Sequence, residues 1–205
     1  MNQNNYYLTC DFESTALNYR VRYGGGRNEA LARAAGFTKG RTPQVVDATA
    51  GLGKDSFLLA SLGAKVTLIE RSLEIYKILK DGIKKATING GKTSDTVGRM
   101  TVMYGDSKTL LLRLKPEVVI VDPMHPTRQN SALSKIEIRY LRSVVGSDND
   151  ASELMQVALQ VATKRVVLKW PLKAEPLLEI PTPSHQIRGK TIRYDIFMKN
   201  DGSKP

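Results

Sequence analysis

From residue 44 onward, short runs of β-branched and aliphatic residues alternate with longer segments whose apolar residues recur three and four positions apart. The short runs have the length of buried strands, and the longer segments have the period of helices. This alternation predicts an α/β fold with a mainly parallel sheet, because parallel neighbours need a crossover connection. The predicted strands are residues 44–48, 65–70, 100–104, 117–122 and 165–170, and the predicted helices are residues 54–62, 72–88 and 151–162.

The two ends of the chain depart from this pattern. Residues 185–188 and 191–199 are extended runs with alternating polarity, which predicts an antiparallel hairpin after the parallel sheet. Near the start, three glycines at 24–26 precede a helical run, and they form either a flexible connector or a loop that faces a ligand or phosphate. We therefore expect an N-terminal element with a glycine loop and helix, residues 1–40, and a single globular domain, residues 41–205.

The charge balance favours a polyanionic partner. Lysine and arginine number 31 against 20 acidic residues, for a formal net charge of +11. Nucleic acid is the first partner to consider, although a basic surface also serves solubility. Cys10 is the single cysteine, and no Cys/His cluster is present, so we expect no disulfide, no metal site and a reducing cytoplasmic location. We also expect no secretory signal and no membrane span.

A glycine-containing turn joins the first predicted strand to the first predicted helix. It reads DATAGLGKD from Asp47 to Asp55. A Walker phosphate loop would need glycine at position 48 and serine or threonine at position 55, so ATP hydrolysis is disfavoured. A dinucleotide-binding turn would need a third glycine at position 56, where Ser56 stands, so a nicotinamide cofactor is also disfavoured.

Acidic residues at strand ends favour a different cofactor, S-adenosylmethionine (SAM). Asp47 ends the first strand before Gly51 and Gly53, and Glu70 ends the second strand, where its carboxylate can accept both ribose hydroxyls. The glycine turn then passes the amino-acid end of the cofactor. Glu70 could instead be a helix cap or a surface charge. After the third strand, Asp106 and Ser107 could contact the adenine or simply cap a helix.

The fourth predicted strand ends in VDPMHP, at the sheet edge where ligands bind in open α/β folds. This run resembles the Asp/Asn-Pro-Pro-aromatic tetrad of amino-methyltransferases. In that tetrad the acid, here Asp122, and the following backbone carbonyl, here that of Pro123, accept the two protons of an exocyclic amine. The lone pair of such an amine is delocalised into the ring, so two acceptors can direct it at a methyl donor. The alternative is a proline-rich turn that ends a strand.

Together these motifs resemble the RsmJ family, through YGGGRNEALARA, VVDATAGLGKDSFLLASLG, IER, VDPMHP, NSALSK and ATKRVVLKWP. The resemblance runs from about residue 23 to residue 197. It implies a Rossmann-like methyltransferase fold and methylation of guanine N2 in 16S ribosomal RNA. It also implies that SAM is contacted by Lys54, Asp55, Glu70, Arg71, Asp106, Ser107 and Asp122. His125 stands where the family usually has phenylalanine or tyrosine, so imidazole would supply the base stacking there.

Three further expectations concern the substrate. Arg20, Arg22 and Arg27 in the N-terminal element are candidate phosphate contacts, although a solvated helix face has a similar composition. The partner is then ribosomal RNA or the small ribosomal subunit, bound by a protein that we expect to be monomeric. An enzyme acting on adenine N6 or cytosine N4, and a non-catalytic RNA-binding protein with the same fold, are the alternatives.

Overall fold

The strands form one seven-stranded sheet in the part of the protein that the computed structural model describes, residues 8–124 and 150–199. The strands are β1 (Val45–Asp47), β2 (Val66–Glu70), β3 (Met100–Tyr104), β4 (Val118–Val121), β5 (Arg165–Pro171), β6 (His185–Arg188) and β7 (Ile192–Met198). Their order is β3-β2-β1-β4-β5-β7-β6. The first five strands are parallel, and β7 is antiparallel to both β5 and β6. The predicted fold class is confirmed.

Helices cover both faces of the sheet. They are α1 (Thr15–Tyr23), α2 (Ala30–Ala35), α3 (Lys54–Ser61), α4 (Leu73–Asn89), α5 (Gly91–Val97), α6 (Ser107–Leu110) and α7 (Ala151–Val161). The predicted strands and long helices agree with these bounds to within one residue at each end. The sequence analysis missed α1 and α5. Gly90 does end α4, but α5 begins directly after it instead of a loop.

Alternation along the strands divides the core into two layers. Val45, Leu68 and Ile120 point to the layer that contains α2 to α5, whereas Val46 and Val119 point to the layer beneath α7. Parallel strands that are covered on both faces must be apolar on both faces. The short runs in which every residue is apolar are therefore the central strands of the sheet.

The N-terminal element shares the first of these layers. Leu31 of α2 belongs to the same hydrophobic cluster as β1 and α3, and the Phe12 and Phe57 rings stack with centroids 5.0 Å apart. Helix α2 packs against β5 and β7, where Arg165 Nη1 donates to the Ala34 carbonyl at 3.3 Å. The proposed boundary at residue 40 stays a prediction.

The direction of strand order reverses between β1 and β4. Ligands in open α/β sheets bind in the crevice at such a reversal, outside the carboxyl ends of the strands. The backbone N–H of Asp122, after β4, donates to Thr49 Oγ1, after β1, at 2.7 Å. The loop that follows Asp47 and the residues that follow β4 thus meet at this edge.

Within residues 8–124 and 150–199, every helix is too short or too polar to span a lipid bilayer. The same residues contain no group of three or more His, Cys, Asp or Glu side chains arranged to hold a metal ion.

We predict that Gly82→Ala destabilises the protein, although alanine is the better helix former by about 1 kcal/mol. A Cβ on Gly82, in the middle of α4, would lie 2.6 Å from the Cys10 carbonyl oxygen and 2.8 Å from Cys10 Sγ. Relieving that overlap should cost about 1–3 kcal/mol. Urea unfolding followed by circular dichroism measures the change, with Lys84→Ala on the exposed side of α4 as control. A Gly82→Ala protein as stable as the wild type would contradict the packing of the N-terminal segment on α4.

Candidate functional site

A cleft lies at the carboxyl ends of β1, β2 and β4. It holds about 590 Å³ of space not filled by protein atoms, part of it open to solvent. The predicted site residues that line it are Gly51, Glu70, Arg71, Asp106, Ser107 and Asp122. Apolar walls are supplied by Ala48, Ile69 and Leu154. The structure therefore brings the strand-end residues into one cleft.

Glu70 is fixed in the cleft by the backbone around it. Its Oε2 accepts the Gly51 N–H at 2.9 Å, and its Oε1 accepts the Ser72 N–H at 2.7 Å. Burial raises the pKa of Glu70, while these backbone bonds and the Arg71 charge act in the opposite direction. A carboxylate has about four lone-pair sites, so the bonds orient Glu70 without using its full capacity. It can still accept hydroxyl groups of a ligand.

The two glycines of the turn have different tasks. Gly51 has a φ of 52°, and a Cβ added there would meet no atom within 4 Å, so the backbone at the cleft is open to a close ligand. Gly53, with a φ of 68°, is the N-cap of α3, and a Cβ there would lie 2.9 Å from Leu79 Cδ1 and 3.2 Å from Leu68 Cδ2. Gly53 is therefore required for packing, and it is not among the residues that line the cleft.

Asp47, the last residue of β1, accepts one hydrogen bond from the turn that follows it and one from α3. Its Oδ2 accepts the Ser56 hydroxyl at 2.5 Å, and its Oδ1 accepts the Thr49 N–H at 3.1 Å. Desolvation raises the pKa of Asp47 to about 6, against the effect of these two bonds and with the help of the Asp55 charge. Asp47 is buried and lies outside the cleft lining, so in this structure it holds the loop in shape.

The residues after β3 serve as both helix start and cleft wall. Asp106 is the N-cap of α6, and its side chain accepts the Lys108 N–H at 2.8 Å. Ser107 donates its hydroxyl to the Ala48 carbonyl at 2.6 Å, which ties α6 to the end of β1. The capping interpretation is confirmed, and contact of these residues with adenine stays a prediction. Opposite them, Asp150 pairs with Lys108 at 2.8 Å and with Arg71 at 3.1 Å.

A lysine that the sequence analysis did not single out lies beside Asp122. Lys169, near the end of β5, places its Nζ 2.7 Å from Asp122 Oδ2 and 2.8 Å from Asp55 Oδ2. Burial by itself would lower the pKa of Lys169, but the two carboxylates raise it well above its usual range. The two ion pairs therefore favour the protonated, positively charged form of Lys169. Its signal in the sequence is a lone charged residue inside the apolar run RVVLKW.

The ion-pair network continues into α1. Arg20 Nη1 lies 2.6 Å from Asp55 Oδ1, and Arg20 also pairs with Glu29 at 2.6 Å. Burial alone would raise the pKa of Asp55, but Lys169 and Arg20 lower it. Tyr194 is buried next to these charges, and desolvation raises its pKa to about 12. The predicted cofactor residue Asp55 is thus the centre of a charge network that joins α1, α3 and β5.

Comparison with known proteins agrees with this arrangement. A model for a family of SAM-dependent methyltransferases matches residues 1–199. A protein named ribosomal RNA small subunit methyltransferase J from Agrobacterium fabrum is 59% identical over 198 residues, which cover 97% of this chain and 95% of that protein. The protein of the same name from Brucella anthropi is 58% identical over 94% of both chains. The chain belongs to the RsmJ family.

The same fold is also present among solved structures. The crystal structure of a SAM-dependent methyltransferase from Neisseria gonorrhoeae is 30% identical, with a TM-score of 0.76. The match covers all of this chain and 81% of the other. In this chain, the open backbone at Gly51, the oriented carboxylate of Glu70 and the apolar walls fit a ligand with an amino-acid tail, a ribose and an adenine.

Several predicted site residues lie elsewhere or outside the described ranges. Lys54 is the first residue of α3 and is not part of the cleft lining. Arg27 donates to the carbonyls of Thr38 and Arg41, both at 2.8 Å, so its guanidinium holds the N-terminal element together. Pro123 is buried directly after Asp122. His125 and the run NSALSK lie outside the described residues.

We predict that Asp47→Asn removes a pH-dependent penalty on stability. The folded-state pKa of Asp47 is raised to about 6, so the folded protein binds this proton more tightly than the unfolded chain does. The resulting stabilisation is complete below about pH 4 and is lost as pH rises through 6. The asparagine stays neutral and keeps an oxygen for the Thr49 N–H. The variant should therefore gain up to about 3 kcal/mol relative to wild type between pH 4 and pH 7.

The measurement is the free energy of unfolding in urea at several pH values. Asp81→Asn, on the exposed side of α4, controls for the loss of one negative charge. A difference between Asp47→Asn and wild type that stays constant from pH 4 to pH 7 would show that Asp47 is not buried as a titrating carboxyl.

Proposed function

We propose that this protein transfers the methyl group of SAM to the exocyclic N2 of a guanosine in small-subunit ribosomal RNA. The observation that carries the proposal is Asp122, which lies at the carboxyl end of β4 and lines the same cleft as Glu70. The curated relatives at 58% and 59% identity, named ribosomal RNA small subunit methyltransferase J, support the substrate class. The protein would act in the cytoplasm, as a monomer.

Glu70 and the turn at Gly51 would bind the cofactor. The Glu70 carboxylate would accept the ribose hydroxyls, and the open backbone at Gly51 would pass the amino-acid end. Asp106 and Ser107 would lie beside the adenine, with Arg71 at the outer wall. Bound in this way, SAM supplies an electrophilic methyl group on a positively charged sulfur.

Asp122 would orient the target amine. Its carboxylate and the backbone carbonyl of Pro123 would accept the two protons of the exocyclic nitrogen, so that the nitrogen lone pair faces the methyl group. Orientation of this kind lowers the barrier because the reacting atoms are already aligned. The methylated nitrogen then loses one proton, which water or Asp122 can accept.

Lys169 and Thr49 hold Asp122 from two directions. Thr49 Oγ1 accepts the Asp122 N–H, and Lys169 Nζ donates to Asp122 Oδ2. Because the carboxylates of Asp122 and Asp55 stabilise the protonated form of Lys169 and raise its pKa, Lys169 is poorly suited to act as a base for the amine. We therefore assign it a positioning role: it fixes one carboxylate oxygen and supplies positive charge behind it.

The basic surface would hold the RNA. The net charge of +11 favours approach to phosphates, and the affinity should fall steeply with salt. Of the three arginines predicted for this task, Arg22 is exposed, whereas the guanidinium groups of Arg20 and Arg27 are engaged within the fold. We therefore propose phosphate contact at Arg22.

We predict that Glu70→Ala weakens SAM binding by about 10–150-fold, since a hydrogen bond to a charged group contributes about 1.5–3 kcal/mol. Calorimetric titration of the folded variant measures the affinity directly. Glu175→Ala, which removes an exposed carboxylate outside the cleft, is the matched control. Equal affinities of the Glu70→Ala and wild-type proteins would place the ribose elsewhere.

We predict that Asp122→Ala abolishes methyl transfer while SAM affinity changes by less than about tenfold, because Asp122 acts mainly on the amine in the transition state. The assay uses SAM with a tritiated methyl group and small-subunit RNA or small subunits that lack the modification. Nucleoside digestion of the product should yield N2-methylguanosine. Methyl groups on adenine N6 or cytosine N4 would select the alternative substrate, and a wild-type protein that binds SAM without transferring methyl would favour the non-catalytic alternative.

A further inference from the structure

Helix α1 carries an exposed pair of tyrosines. The side chains of Tyr19 and Tyr23 are 65% and 70% exposed, and their ring centroids lie 4.9 Å apart. The two residues are one helical turn apart, so both rings lie on the same side of α1. This Tyr19–Tyr23 pair is a sizeable aromatic surface in water.

Two arginines lie on either side of this pair. Each residue turns a helix by about 100°, so Arg20 lies on one side of the two rings and Arg22 on the other. Arg22 is exposed, whereas Arg20 turns toward the sheet and pairs with Asp55. The outward face of α1 therefore combines flat aromatic rings with positive charge.

The same helix is connected to the reaction centre. Arg20 pairs with Asp55, Asp55 pairs with Lys169, and Lys169 pairs with Asp122, at 2.6, 2.8 and 2.7 Å. Three ion pairs in series thus separate α1 from the residue that would orient the target amine. A nucleic acid with one base at Asp122 would have its neighbouring nucleotides within reach of α1.

We propose that the Tyr19–Tyr23 pair is a stacking platform for unpaired bases of ribosomal RNA next to the target nucleotide, with Arg22 on a phosphate. The inference rests on the proposed function for the site itself. Proteins recognise single-stranded RNA by stacking bases on aromatic rings and neutralising the backbone with arginine. The chain provides both features on one helix, at a net charge of +11 that matches a polyanion.

A second tyrosine pair, in which Tyr104 is exposed and Tyr76 is half-buried, offers a matched control. Tyr104, at the end of β3, is 51% exposed, and its ring centroid lies 5.3 Å from that of Tyr76. Strand β3 is separated from β4 by β2 and β1, so Tyr104 lies three strands away from the strand that precedes Asp122. Replacement of Tyr104 removes a similar ring from a place where the proposal expects no base.

The experiment measures RNA binding without turnover, by fluorescence anisotropy with S-adenosylhomocysteine present. The RNA is unmodified small-subunit ribosomal RNA made by transcription, with a short unpaired oligonucleotide and a blunt duplex as competitors. Two double variants are compared: a double alanine variant (Tyr19→Ala and Tyr23→Ala) and a double phenylalanine variant (Tyr19→Phe and Tyr23→Phe). Two single variants, Arg22→Gln and Tyr104→Ala, complete the set. Circular dichroism and SAM titration check the fold of each.

Loss of the two rings should weaken RNA binding by about 5–150-fold, the range for stacking of one base, with an unchanged dependence on salt. The double phenylalanine variant should bind like wild type, and so should Tyr104→Ala. Arg22→Gln should instead reduce the slope of log affinity against log salt by about one. The unpaired oligonucleotide should compete better than the duplex.

Unchanged RNA affinity in the double alanine variant would overturn the proposal. So would equal losses in that variant and Tyr104→Ala, or a change in sedimentation that shows the pair to be a contact between two copies of the chain. Because binding is read without methyl transfer, the proposed function is tested separately. If the wild-type protein methylates RNA and the double alanine variant binds RNA with full affinity, only the stacking platform is refuted.

Discussion

The ammonium of Lys169 holds the functional edge of this protein together. Placing a charge in a partly buried position is unfavourable unless it is paired, and Lys169 is paired twice, with Asp55 and Asp122. Those partners come from α3 and from the residue after β4, so one side chain fixes the relative position of three elements. Removing the lysine would leave two carboxylates close together with no charge between them.

The neighbouring acids show how much depends on this pairing. Asp55 and Asp47 lie on the same side of the sheet edge, yet the pKa of Asp55 is lowered and that of Asp47 is raised to about 6. The difference follows from their partners, because Asp55 has two cations and Asp47 has a hydroxyl and a backbone N–H. The same type of side chain therefore serves as an ion-pair centre at one position and as a loop support at the other.

The sequence predicts the sheet well because its strands are apolar runs in a strict alternation with amphipathic helices. It also identifies Glu70 and Asp122, since an acid that ends a buried strand has a defined place at the ligand edge. Lys169 could not be identified from the sequence because its partners, Asp55 and Asp122, are distant in the chain. The spacing of residues along the sequence does not show such contacts. Helix α5 was missed for another reason: it reads GKTSDTV, which has no apolar stripe.

The position of α2 has a consequence for how the chain is made. Residues 30–35 leave the ribosome early in synthesis. In the folded protein they pack against β5 and β7, near the other end of the chain. At about 5–20 residues per second, Ala34 waits on the order of ten seconds for Arg165 and the strands around it. During that interval the part of α2 that contacts β5 and β7 lacks those strands, so the packing of α2 is complete only after the end of the chain has emerged.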